Sequence, residues 1–322
     1  MLRVVDTRVN HNLYRRLARR KPSMPHTVQY RPQLIDQLIS AHRIASYSKV
    51  FSTSNDAELV GAYLWNSHVC GVLYPLLSAA EVTLRNSIDT VLTADIGKFW
   101  WKTGKLKYKS FVLGANAPDA VGKLIKNFGS AYNTASIERK KRKVKGAPDH
   151  QEVVSKTDFS TWEYVLDNEY MGNNLIWPKH LGRVFKGRWP TTQAGAMLSG
   201  CKDQVALVRK FRNRVFHHEP AWKRFNVTDE QQAVAHLHEK IGKITDLISW
   251  ISPEKIDLLE KSGLIRAAYR ACSVAEIERF KYQSKTSTVN SMVKLIKVAE
   301  AASVSNEVLQ IAVYGTRKQV YT

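Results

Sequence analysis

The chain has 322 residues, 44% of them hydrophobic, enough for a real core in one large or two ordinary domains. Forty-nine Lys plus Arg against 28 Asp plus Glu give a formal charge of +21, more than solubility needs, and this points to a polyanionic partner, nucleic acid ahead of an acidic membrane. Three scattered cysteines without CxxC spacing argue against a disulfide scaffold or zinc ribbon and for a reducing cytosol, and no run of about 18 apolar residues exists to span a bilayer.

In chain order, the first segment is "MLRVVDTRVNHNLYRRLARRKPSM", with seven Arg or Lys against one Asp and no apolar core of a signal peptide. A transit peptide fits its composition formally. The reading adopted for residues 1–30 is a basic, flexible arm, or upstream sequence in front of a true start at Met24. Ser54 and Asn55 then open a helix through "NDAELVGAYLWNSHVCGVLY", Pro75 is expected to kink or restart it, and it continues through "LLSAAEVTLRNSIDTVL". Leu77, Ala80, Leu84, Ile88 and Val91 form one helical stripe there, and Val208, Phe211 and Val215 form another further on. Helices are also predicted near 118–131, 161–170 and 201–218. Capping boxes at Thr228/Gln231 and Ser273/Glu276 open helices near 229–251 and 274–283. Sustained strand-like alternation is missing, so the expected fold class is all-α. Residues 252–322 read as a C-terminal helical extension with a polar break at "QSKTSTVNS".

Two basic stretches interrupt the helices. "KFWWKTGKLKYK" holds five lysines, among them Lys105, Lys107 and Lys109, and no acid. "ERKKRKVKGAPDH" is read as a charged loop carrying Arg139, Lys140, Lys141, Arg142 and Lys143, with Gly146 and Pro148 opposing a helix. A solvated loop is the ordinary reading of such a run. "KKRKV" also matches a nuclear import signal, a match that short basic runs often make by chance. Phosphate attraction is the reading that joins both stretches with the basic arm. Trp100 and Trp101 add base stacking if exposed, although a tryptophan pair beside a helix end is more often core.

The densest polar segment is "RKFRNRVFHHEPAW", residues 209–222. With Val208, Phe211 and Val215 facing the core, Arg212 and Glu219 return to nearly one face, and Asn213 shares another with His217. Pro220 disfavours the α conformation at Glu219, which brings His217 and His218 to the helix's C-terminal edge. An ordinary account is available: histidines suit a helix C-terminus, and Arg212 with Glu219 makes an ion pair. No metal site is persuasive, because the adjacent His217 and His218 diverge, as do His236 and His238 two residues apart. A sharper account needs no metal or other cofactor. RNA carries its own nucleophile in the 2′-hydroxyl, a histidine moves protons near neutral pH, and an arginine offers a fixed fork of donors to phosphate oxyanions.

"RNRVFHHEPAW" resembles the signature of Abi-like proteins, bacterial abortive-infection relatives within the HEPN superfamily, whose motif is Arg, four to six residues, then His. Arg212 and His217 are separated by four residues, and Asn213 follows the arginine as is common there. "YLWNSHVCGVLYPLLSAAEVTLRN" (63–86) is similar to the family's Tyr-x-Trp-Asn and Glu-x-x-Leu-Arg-Asn elements, and "DFSTWEYVLDNEYMGNNLIWPKHLGRVF" (158–185) to its middle block. "DFSTWEYV" departs from that pattern, with Ser-Thr where Gly-Phe or a similar pair is expected. The resemblance covers residues 35–251 and leaves the basic N-terminus and the tail after 252 outside it.

The resemblance implies a HEPN-like helical bundle at 31–251 with additional C-terminal helices, and a homodimer or higher homo-oligomer in which two motifs build a metal-independent endoribonuclease site. Carried onto this chain, His217 is the general acid or base, Arg212 binds the scissile phosphate and Asn213 orients both. His218 and Glu219 are supporting candidates. Glu81, Arg85 and Asn86 are expected beside the site, although Glu81, Arg85 and Asp89 at four-residue spacing also make an ordinary ion-pair ladder. The function expected is a cytoplasmic toxin of phage defence that cuts RNA, with an antitoxin or a regulatory non-coding RNA as further partners and no membrane. The alternatives are a catalytically silent RNA-binding protein on the same scaffold and, more weakly, a DNA-binding regulator.

Overall fold

A computed structural model describes residues 39–102, 104–112, 115–281, 286–305, 309–313 and 316–320. The basic arm expected at 1–30 lies outside them. The chain is mostly helical, as its apolar spacing predicts. It divides into two compact units, with one division inside a long helix after Trp65 and others after Phe225, Gln232 and Cys272.

The larger unit comprises residues 66–225 and 233–272. Its backbone is most of α2 (Asp56–Ile96), with α3 (Asp119–Lys141), α4 (His150–Ser155), α5 (Phe159–Val165), α6 (Leu181–Val184), α7 (Ala194–Phe216), most of α8 (Glu230–Ile251), α9 (Pro253–Lys261) and α10 (Leu264–Ala271). Both predicted stripes are buried: Leu77, Ala80, Leu84, Ile88 and Val91 on α2, and Val208, Phe211 and Val215 on α7. α3 packs on α4 and α5, and α5 packs on α7. Gly187 is required where the chain meets α8, because a Cβ there would lie 1.9 Å from the Ser249 carbonyl oxygen.

α2 begins as expected. The Asn55 Oδ1 accepts from the Glu58 backbone N–H at 3.0 Å, and the Glu58 carboxylate accepts from the Ser54 N–H at 2.6 Å. It differs at Pro75, where the helix continues without a restart. The carbonyl that Pro75 leaves without a donor belongs to Gly71, which is exposed and has no side chain, so water reaches it. By length and composition α2 is the one described helix long and apolar enough to cross a membrane, yet its stripe from Val69 to Leu92 is buried against protein.

A second departure concerns Asp89. In place of a surface ladder with Glu81 and Arg85, it is buried and accepts from the Trp100 indole at 2.9 Å, from His150 Nε2 at 2.9 Å and from the Gln151 amide at 3.1 Å. The His150 Nδ1 accepts the Phe99 N–H at 2.9 Å, so Nε2 carries the ring proton. Trp101 stacks on Phe128, ring centroids 4.0 Å apart. Trp100 and Trp101 are thus core, and base stacking on them is excluded.

The smaller unit gathers the described residues of 39–65, 226–232 and 273–320. Tyr47 of α1 (Ala41–Ser48) and Phe51 are buried with Trp65. The cap of α8 shifts by one from the expected Thr228/Gln231 pair: Asp229 Oδ1 accepts from the Gln232 N–H at 2.8 Å, while the Gln232 side chain accepts from the Thr228 N–H at 3.0 Å. Ser273 caps α11 (Val274–Phe280) as predicted. The buried Lys281 pairs with Glu230 at 2.7 Å. The tail is not helical throughout. β1 (Thr286–Thr288) pairs in parallel with β2 (Leu309–Val313) after α12 (Met292–Ser305), and β2 pairs antiparallel with β3 (Thr316–Val320). Strands of three to five residues carry too little alternation to register as a period.

Candidate functional site

The residues singled out around 212–219 gather at the C-terminal end of α7, within the larger unit. The helix stops at Phe216, two residues short of the expected 218. His217 is the cap and donates its backbone N–H to the Asn213 carbonyl at 2.9 Å. His218 takes the left-handed conformation at φ 56°. Its N–H reaches the Val215 carbonyl at 3.2 Å, and that of Glu219 reaches the Arg214 carbonyl at 3.0 Å. These two bonds are a Schellman closure, which satisfies the orphan carbonyls of the last turn, and Pro220 then prevents any resumption. The chain leaves the helix abruptly, and His217 and His218 are both exposed on the edge so formed.

Two elements hold Arg212. Its Nε lies 3.5 Å from the Glu81 carboxylate of α2, and its guanidinium sits over the Phe216 ring at 4.2 Å from the centroid. It also donates to the Asn213 side-chain oxygen at 3.4 Å, a long bond that orients the amide. Arg85 donates to Asn86 at 3.3 Å. Glu81 is mostly buried, and this desolvation raises its pKa even though the nearby Arg212 and Arg85 pull it down; Asp158 adds to the rise. The "EVTLRN" and "RNR" segments, far apart in sequence, therefore meet through the ion pair of Glu81 with Arg212.

Further contacts fix the loop after the motif. The buried Asn66, the asparagine of "YLWN", accepts the Ala221 N–H at 2.8 Å. Glu219 pairs with Arg214 at 3.6 Å, not with Arg212 as its spacing allowed, because the turn at His218 redirects it. Arg214 also donates to the Lys223 carbonyl. The His217 imidazole, by contrast, makes no hydrogen bond or ion pair among the described residues. Arg212 and Asn213 are thus anchored, and His217 stands free beside them.

Sequence reasoning missed Tyr74 and did not assign Phe216. Their rings meet at 5.3 Å and both are exposed, forming an aromatic ledge next to Arg212. The four-residue step from Arg212 to Phe216 was a readable signal for a cation–π pair; nothing in the sequence marks Tyr74 as its neighbour.

The basic candidates lie elsewhere. Arg139, Lys140 and Lys141 end α3, so the first part of that run is helical, while Arg142 and Lys143 begin the loop. Arg139 and Arg142 are committed to Glu152 at 2.6 and 3.2 Å, whereas Lys140, Lys141 and Lys143 are exposed. Bonds from the Asp149 backbone N–H and these arginines hold the Glu152 carboxyl below its usual range. Lys105 donates to the Lys98 carbonyl at 2.8 Å and Lys109 to Asn168 at 3.1 Å. Lys105 and Lys107 line a cavity of about 450 Å³ with Asn173, Asn174 and Lys179. Among the described residues, neither group meets the α7 end in a hydrogen bond or ion pair.

The chemistry available at the α7 end is a fixed guanidinium, a neighbouring amide, an exposed imidazole and an aromatic face. Among the described residues, no three His, Cys, Asp or Glu side chains converge as a metal-ligand set. No family model matches the chain, and no curated protein and no solved structure matches it.

Proposed function

We propose that this protein is a metal-independent endoribonuclease of the Abi-like, HEPN type, acting as a cytoplasmic toxin in bacterial phage defence. The observation that carries the reading is the ion pair between Glu81 and Arg212, which brings two motif-like segments together at a helix end where His217 is exposed. In the mechanism, Glu81 holds Arg212 through its Nε while the phosphate at the scissile bond takes the terminal guanidinium donors, which stabilise the developing oxyanion charge. His217 takes the 2′-hydroxyl proton or protonates the departing 5′-oxygen. A second copy of the chain supplies the complementary proton-transfer group, which gives the free imidazole of His217 a partner in the assembled site. The Tyr74–Phe216 ledge offers a face for a base beside the scissile phosphate. An antitoxin or a bound non-coding RNA would restrain such an enzyme.

One observation favours a second reading, an RNA-binding protein that does not cut: the His217 ring has no orienting partner among the described residues, and general acid–base catalysis depends on orientation. End mapping separates the two. Incubated with a mixed RNA pool in EDTA, the protein is expected to release fragments with 2′,3′-cyclic phosphate and 5′-hydroxyl ends. Fragments with 5′-phosphates, or bound RNA that stays intact, would reject a mechanism of 2′-hydroxyl attack.

A further inference from the structure

A cavity of about 540 Å³ lies between α7 and the part of α8 that belongs to the larger unit. This is an ordinary volume for a small-ligand site. Its lining is unusual in charge: Lys210, Arg214, Lys223, Arg224 and Lys240 surround a single carboxylate, Glu239. Glu239 is shared, lying 3.1 Å from both Arg224 and Lys240. Arg214 is partly engaged by Glu219. Lys210 and Lys223 have no side-chain hydrogen bond or ion pair among the described residues. Five like charges around one shared carboxylate repel one another, and an anion in the cavity would relieve that repulsion.

A second, independent observation lies deeper in the same wall. The His236 side chain is only 6% exposed, and its Nδ1 is buried without a hydrogen bond, 3.8 Å from Glu239. Burial and the neighbouring Lys240 push its pKa down to about 4, so the ring is neutral near pH 7 and can offer an N–H without adding charge. A buried donor without a partner is costly unless a ligand completes it. The apolar part of the lining comes from Leu207, the buried Phe211 and the fully exposed Phe225.

We infer that this cavity binds the phosphate of a nucleotide unit, with the lysines and arginines around its oxygens, His236 donating from Nδ1, and Phe225 taking the face of the base. Both a free nucleotide and one nucleotide of an RNA strand present this chemistry. The assignment goes beyond the proposed cleavage and holds whether or not His217 cuts. It gives the α7 helix two roles, one at its exposed end and one on the flank facing α8.

The test uses the full chain carrying His217→Ala, so that no cleavage confounds binding, titrated separately with ATP, a single-stranded RNA octamer and uridine. ATP or the octamer is expected to bind, uridine is not, and Lys210→Glu with Lys240→Glu should weaken binding by more than about tenfold. Binding by ATP identifies a free nucleotide as the source, and binding by the octamer alone identifies the RNA strand; either supports the site. Should the double variant fail to fold, Lys223→Ala and the NMR shift of the His236 ring proton on ligand addition serve instead, with weaker binding and a displaced resonance expected. Uridine binding as well as ATP, binding unchanged by the charge reversals, an unmoved His236 resonance, or no binding of either phosphorylated ligand would overturn the assignment.

Discussion

Two histidines, His150 and His217, stand in opposite surroundings, and the contrast separates a ring consumed by the fold from one that the fold leaves available. His150 is buried; its Nδ1 accepts from Phe99, its Nε2 serves Asp89, and tryptophan and phenylalanine rings enclose it. Every polar atom of that ring is used within the fold. His217 is exposed on a helix end, and its ring is not engaged by any described residue. The fold uses both nitrogens of the first histidine, which therefore builds the core, while the ring of the second is left open to solvent and to a ligand.

The comparison breaks most visibly through His150. Replacing it with Ala removes one donor from the buried Asp89 carboxylate, leaving those of Trp100 and Gln151, and opens a cavity between the rings; it should cost about 2–3 kcal/mol, the range for losing a hydrogen bond to a buried charged group. Denaturant melts would register this as a large drop in midpoint. A loss under about 1 kcal/mol would mean that water reaches Asp89 and that the cluster is open to solvent.

Glu81 sharpens the comparison from the other side, because it touches the site and is also largely buried. Glu81→Gln removes the anchor of Arg212, and cleavage should fall about tenfold while RNA binding holds, since misplacement of a charged group costs rate more than affinity. Its stability effect should depend on pH. Burial raises the folded-state pKa of Glu81 above its ordinary 4.5, so the contribution of the carboxyl to stability is present below that value and is lost as pH rises through the raised pKa. The parent should therefore lose stability relative to the Gln variant as pH rises above 4.5. Parallel melts at several pH values check this, and a constant difference would contradict it.

Much of this arrangement is legible in the sequence, and the remainder fails for identifiable reasons. The buried stripes of α2 and α7 follow from helical spacing, and the caps at Asn55 and Ser273 from short-range side-chain chemistry. Arg212, Asn213 and His217 can be picked out because one helix end carries them all. Asp89 reads as a surface charge because its partner lies 61 residues away, beyond any local pattern. The shift of the Glu219 pairing from Arg212 to Arg214 depends on a left-handed turn at His218, a conformation that a non-glycine residue does not advertise. The cavity residues run from 207 to 240 and become a group only when α7 packs beside α8.

The measurement that bears most directly on the central claim is the RNA cleavage rate of His217→Ala against the parent, with both proteins shown to melt at the same temperature. An exposed side chain free of partners predicts unchanged stability, within about 0.5 kcal/mol, together with a rate loss of about 10²–10⁴ for a missing general acid or base. Equal rates in the two proteins would contradict the account and leave His217 an ordinary surface residue at the end of α7.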